Sequence, residues 1–193
     1  LSRSAGGLST FGCLALTWSV PASAADRYTV DGAHSLPEFR FTHAGLTTQT
    51  GRFDSARGTI VLDPAARTGH VHYEIDAASL DMGFGTERAD SPGFRLFDVG
   101  RFPKISFDSD RLVFGAHAEV IAAEGALRLL GVSRPLRVRV DHFQCGLNPM
   151  NSKAMCSGEI TATLKRSDFG MLEYIPAVSD EISVRVPVEA YRD

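Results

Sequence analysis

Apolar and polar residues alternate with period 2 along most of this chain, and little of it repeats at 3.6. In Glu38-Phe39-Arg40-Phe41-Thr42-His43, the two phenylalanines fall on one face and Arg40 and Thr42 on the other. His70 to Asp76 repeats the pattern, with Val71, Tyr73 and Ile75 on the apolar side. Lys104 to Asp108, Leu136 to Val140, Thr161 to Leu164 and Ile182 to Val186 follow the same rule. Thr59 to Leu62 is a short apolar run stopped by Asp63-Pro64, and Ala118 to Leu130 is long enough to bend at Gly125. Gly131-Val132-Ser133-Arg134-Pro135 reads as a hairpin turn between two strands. Two segments depart from the alternation. Gly85 to Gly100 predicts a short helix or helical loop that Ser91-Pro92-Gly93 interrupts, ending near Arg101-Phe102-Pro103. Lys165 to Met171 predicts a single helical turn.

Roughly eight strands, each with one apolar face, specify an all-β antiparallel barrel or sandwich. The face predicted to point inward carries Phe39, Phe41, Phe53, Ile60, Leu62, Val71, Tyr73, Ile75, Ile105, Phe107, Leu127, Leu129, Val138 and Val140. About eight strands can close around a filled core or around one ligand, and pattern alone does not choose between them.

The first 24 residues are unlike the rest. Arg3 is their only charge, Leu8 to Val20 is mostly apolar or small, and Pro21-Ala22-Ser23-Ala24 follows. A basic start, a short apolar run and a small-residue site predict a secretory signal peptide cut after Ala24. The run is about 13 residues, short of the roughly 20 that span a bilayer. Cys13 lies inside it and leaves with it. The domain expected to remain is 25–193, and losing Arg3 moves the net charge from −3 to −4. It has no basic stripe or tail, so nucleic acid is not an expected partner. Two cysteines remain in a chain expected to be exported, so Cys145 and Cys156 predict a disulfide across a loop rich in turn formers. Their spacing is not the C-x-x-C of redox enzymes.

Catalytic motifs are missing: there is no G-x-S-x-G, no H-E-x-x-H and no phosphate-binding glycine loop. His70 and His72 share a strand face at a spacing that can ligate a metal, but that face is the polar one and should be open to solvent. No metal is expected there. Ser167-Asp168-Phe169-Gly170 reads as a turn, with Asp168 bonding local amides, Gly170 taking a backbone angle that other residues avoid and Arg166 pairing with Asp168 or another acid.

Several stretches, in order, carry a further indication. They are Tyr28-Thr29-Val30-Asp31-Gly32-Ala33-His34-Ser35, then Phe39 to Leu46, Gly51-Arg52-Phe53 and Phe97-Asp98-Val99. Phe102 to Phe107, Gly125 to Pro135, Lys165 to Met171, and Asp180 with the last strand through Glu189-Ala190 complete the series. Together they resemble the YceI-like family of exported, lipocalin-like proteins. The family usually carries a His-Leu pair on its helical segment, where this chain has Asp90-Ser91-Pro92-Gly93.

The resemblance implies an eight-stranded antiparallel barrel with one short helical segment and a hydrophobic tunnel. It implies a bound isoprenoid, quinone tail or fatty amide, and brings no catalytic residues and no cofactor beyond such a lipid. The binding wall is then the inward face without Val71 and Ile105, plus Phe97. His34 and His43 are candidate head-group contacts, or else make structural hydrogen bonds at strand ends. The expected location is periplasmic or secreted, with a hydrophobic small molecule as partner and a homodimer compatible with the family. The alternatives are an enzyme on an apolar small molecule, with His34 or His43 as acid or base, and a stress-related accessory module.

Overall fold

The computed structural model describes residues 25–83 and 92–193. The expected signal peptide and the first part of the expected helical segment therefore lie outside the described residues. Eleven strands follow in order: β1 Asp26–Val30, β2 Glu38–His43, β3 Thr47–Phe53, β4 Ala56–Asp63, β5 Thr68–Asp76, β6 Leu80–Asp81, β7 Lys104–Phe114, β8 Val120–Leu129, β9 Val132–Leu147, β10 Ala154–Lys165 and β11 Glu181–Arg192. Helix α1 is Pro92–Phe97, and 3-10 turns occupy Ala77–Ser79 and Arg166–Phe169. The helix begins at the proline that interrupts the expected segment, because a first-turn position needs no N–H.

Every pairing is antiparallel. The sheet runs β1-β4-β5-β7-β8-β9-β10-β11, and β11 returns to β1, closing a barrel of eight. Closure decides between barrel and sandwich. Three of the eight staves are broken in two: β2 continues β1 along β11, β3 continues β4 along β2, and β6 continues β5 along β3.

Ser35 bridges the first break. Its side chain is fully buried, its Oγ donates to the Glu189 carbonyl at 3.2 Å, and it accepts from the Glu189 N–H at 2.9 Å. A side chain thus replaces the missing ladder rungs, which leaves no buried backbone group of Glu189 unpaired. Pro187 of β11 lies opposite this break, between the segments that pair with β1 and with β2, where a missing donor is tolerated.

The expected hairpin turn at Gly131 to Pro135 is shorter than read. Only Leu130 and Gly131 turn, both with positive φ (52° and 74°), and Val132 already pairs with Leu129. Two consecutive positive φ values match the twist of the flanking strands. Leu130 holds this conformation while its side chain packs on a core cluster. Pro135 fits within β9 because the ladder to β10 starts only at Arg139.

The turns following β4, β7 and β9 gather at one end of the barrel, where the Arg67 Nη2 donates to the carbonyls of Gly115 and Ala116 at 2.9 and 3.1 Å. The opposite end carries the β2–β3 turn, α1 and the loop from Arg166 to Asp180. Cys145 and Cys156 are cross-strand partners in β9 and β10 and form the disulfide. It closes a loop 11 residues in separation, for which loop entropy gives about 3 kcal/mol. Reduction should lower the unfolding free energy by about 2–3 kcal/mol, read as a shift of the urea midpoint with and without reductant.

Gly125 marks the bend expected in β8. It faces a register shift in β7 between Ser109 and Arg111, and a Cβ there would fall on the Asp108 backbone. Gly125→Ala should therefore destabilise the barrel by about 1–3 kcal/mol, since backbone rather than a side chain must yield. An unchanged urea midpoint would refute this account of the bend.

Candidate functional site

Period-2 alternation on eight closed staves sends one face of every strand inward. Those side chains do not meet. They enclose a cavity of about 770 Å³, far above the ~30 Å³ a single water occupies. All thirteen residues expected in the binding wall line it: Phe39, Phe41, Phe53, Ile60, Leu62, Tyr73, Ile75, Phe97, Phe107, Leu127, Leu129, Val138 and Val140. Met82, Leu136, Phe143, Ile160, Ala162, Val184 and Val188 also line it, and the last three strands carry the same alternation that found the others.

At the turn end the wall closes. Tyr28, Leu62, Leu112, Val120 and Cys156 are all 8% exposed or less. At the helix end four rings cluster. Phe53 and Phe97 meet edge-on at 5.3 Å between centroids, and Phe39 lies 5.7 Å from Phe53. Phe39 reaches this position because its cross-strand partner is Gly51, where a Cβ would strike the ring. Phe97 carries α1 into the cluster, so the helix is part of the wall. Among the described residues, only two lining residues are exposed, His43 at the end of β2 and Tyr174 on the loop from Arg166 to Asp180, and they mark a mouth of the cavity. The Ala44 N–H donates to the Ala177 carbonyl at 2.5 Å, which holds the β2–β3 turn against that loop.

Few polar groups enter the cavity. The Tyr73 hydroxyl is spent on the Ser35 carbonyl, and burial pushes its pKa well above the ordinary tyrosine value. Glu38 pairs with Arg185 at 3.5 Å on the barrel exterior. Arg166 lines the cavity and is 3% exposed. Its Nε donates to the Ser179 carbonyl at 3.0 Å and its Nη2 to the Val178 carbonyl at 3.1 Å. This corrects the expected pairing of Arg166 with an acid. Asp168 is exposed and bonds no local amide; Asp180 does so instead, accepting from the Ser167 N–H and Oγ at 2.8 Å each. Sequence could not place Asp180 there, because twelve intervening residues had to fold back first. Gly170 has φ 82°, a left-handed backbone angle that other residues avoid, as expected of it.

The histidines separate. His43 lines the mouth, whereas His34 is exposed outside the cavity, with its Nδ1 2.8 Å from Asp31. That hydrogen bond raises the His34 pKa and lowers that of Asp31. Asp31, His34 and Glu189 place ligand atoms within 4.8 Å of one another, but the hydrogen bonds of His34 and Asp31 already account for this arrangement. His70 and His72 are exposed on the outer face of β5, and His72 meets Asp108 at 2.5 Å.

A closed eight-stranded antiparallel barrel around an apolar cavity defines a lipocalin-like barrel protein. The chain matches the YceI-like domain model over residues 28–190, and it belongs to that family. A UPF0312 protein of Shewanella sp. (strain W3-18-1) is 28% identical over 175 residues, covering 89% of this chain and 90% of its own. A UPF0312 protein of Pseudomonas paraeruginosa is 29% identical over 176 residues, covering 89% of each. Among solved structures, Burkholderia cenocepacia BcnA superposes with a TM-score of 0.65 at 21% identity, over 83% of this chain and 98% of its own. A polyisoprenoid binding domain from Saccharophagus degradans superposes at 0.59 and 15% identity, over 86% and 98%. These two likenesses establish the shared fold.

Tyr73 gives a pH test. Above pH 10, its ordinary value, the unfolded chain releases the phenolic proton while the native barrel keeps it. Stability should therefore fall as pH rises above 10, since there the unfolded state binds fewer protons. Tyr73→Phe should flatten that alkaline slope. At neutral pH it should cost about 1–2 kcal/mol, because the Ser35 carbonyl is left unpaired. Urea melts of both proteins across the alkaline range measure both effects.

Proposed function

We propose that this protein is a non-enzymatic binding protein that holds a long apolar chain, an isoprenoid or quinone tail or a fatty amide, inside the barrel. The observation that carries the reading is the unfilled apolar cavity of about 770 Å³. Linear hydrocarbon suits such a space, because each buried methylene contributes about 0.8 kcal/mol before association costs. The likeness to a polyisoprenoid binding domain supports this choice of ligand. The N-terminal pattern of residues 1–24 supports export, to the periplasm or outside the cell.

The mouth adds a route for loading. Leu46 (87% exposed) tips the β2–β3 turn, and Leu172 (63%) and Ile175 (37%) lie on the facing loop. These apolar side chains are exposed on the turn and the loop that the Ala44–Ala177 hydrogen bond holds together, a placement that suits exchange of cargo with a lipid surface. Among the described residues no helix is long and apolar enough to cross a membrane.

Organic extraction of the protein purified from its native compartment, followed by mass spectrometry, should return one long-chain lipid species at near-stoichiometric amount. A clean absence of lipid would end the reading. Ala162→Trp places a bulky ring in the wall opposite the open space, where Ala162 is only half-buried. It should reduce binding of a long-chain fluorescent probe by about tenfold or more while the far-ultraviolet spectrum stays that of the native barrel.

A further inference from the structure

Two buried side-chain polar atoms lack a hydrogen-bond partner among the described residues: Glu74 Oε1 and Arg166 Nη1. Glu74 is explained, since its carboxylate meets Arg57 and Lys104 in ion pairs outside the cavity. Arg166 is not. Its guanidinium forms no ion pair among the described residues, because Asp180, the nearby acid, has turned both oxygens to Ser167. Burial without a contacting counter-charge pulls the Arg166 pKa below its ordinary value. Asp180 offsets part of this by attraction without contact, but a buried guanidinium nitrogen with no acceptor is unfavourable unless something supplies one.

The other polar groups of the wall whose partners are seen are already engaged. The Tyr73 hydroxyl goes to Ser35, Glu38 to Arg185, and the Gln49 Nε2 to Thr47 at 3.3 Å. Arg166 also sits at the right place. The carbonyls that hold it, Val178 and Ser179, belong to the loop that forms one lip of the mouth. The far end of the cavity, at Leu62, Leu112 and Val120, offers hydrocarbon, and its polar group is the neutral Tyr28 hydroxyl, which carries no charge to hold an anionic head group.

We infer that Arg166 is the head-group anchor of the cavity: it selects single-chain lipids whose polar end carries an acceptor oxygen, most tightly an anionic one, and orients them tail-first toward the closed end. The inference rests on the binding reading above and adds to it a chemical class and a direction. A guanidinium held by two backbone carbonyls is preorganised, so its remaining donors meet a ligand oxygen with little further loss of freedom.

The test uses three fluorescent polyenes of one chain length, ending in a carboxylate, a methyl ester or a hydrocarbon, titrated onto the whole protein freed of endogenous lipid. The carboxylate should bind about tenfold to a hundredfold more tightly than the hydrocarbon, with the ester between. Arg166→Met should level the series by weakening the carboxylate most, the ester less and the hydrocarbon not at all. Arg166→Lys keeps a positive charge and should retain a reduced carboxylate preference. Because Arg166 also holds Val178 and Ser179, the Met variant risks misfolding. A measurement on the unaltered protein then decides: carboxylate probe should shift a slowly exchanging guanidinium ¹⁵N–H resonance that is missing from the Lys variant. Equal affinity for the three probes, or a Met variant that keeps the ranking, or an unmoved resonance at saturating carboxylate, would overturn the anchor and leave the container standing. Failure of all three probes to bind would overturn both.

Discussion

The ladder between β11 and β1 is the constraint on which the rest depends. Once the eight staves form a ring, their backbone spacing fixes its circumference, and no side chain can pull opposite walls together. An open sheet with the same apolar face could fold over and pack to crystal-like density. A closed one must either fill its middle with large side chains or leave it empty. Here small and branched residues such as Ala123, Ala162, Val138, Val140 and Val184 stand where larger ones would have been needed. The cavity is thus a consequence of closure acting on side chains of moderate size.

Closure also has to survive three broken staves. The break between β1 and β2 would expose rungs of β11, and Ser35 supplies them with one hydroxyl acting as donor and acceptor. The Ser35 carbonyl in turn receives the Tyr73 hydroxyl from across the interior. One serine therefore couples the stave most in need of support to the cavity wall. This gives a physical role to the His34-Ser35 stretch, in which the serine is structural and the histidine faces solvent.

The two ends of the barrel divide the work. The turn end is sealed by buried apolar residues and tied across by Arg67. The helix end carries the aromatic cluster and, at the loop through Asp180, the only buried cation among the described residues.

The sequence by itself determined which residues face inward, because period-2 alternation is a local property and the pleat converts it directly into sidedness. Phe39, Phe41, Val138 and the rest of that face were legible for this reason, as were Gly170 and the bend at Gly125. It could not determine whether the inward face was filled, since that depends on the ring's diameter, a property of all eight strands together. Nor could it place Arg166, for which the local sequence offers Asp168 or another acid as the partner. Its burial and its carbonyl partners arise only when the loop through Asp180 folds back over the barrel mouth. Tertiary structure decided the void and the charge beside it, because both depend on residues that alternation does not connect.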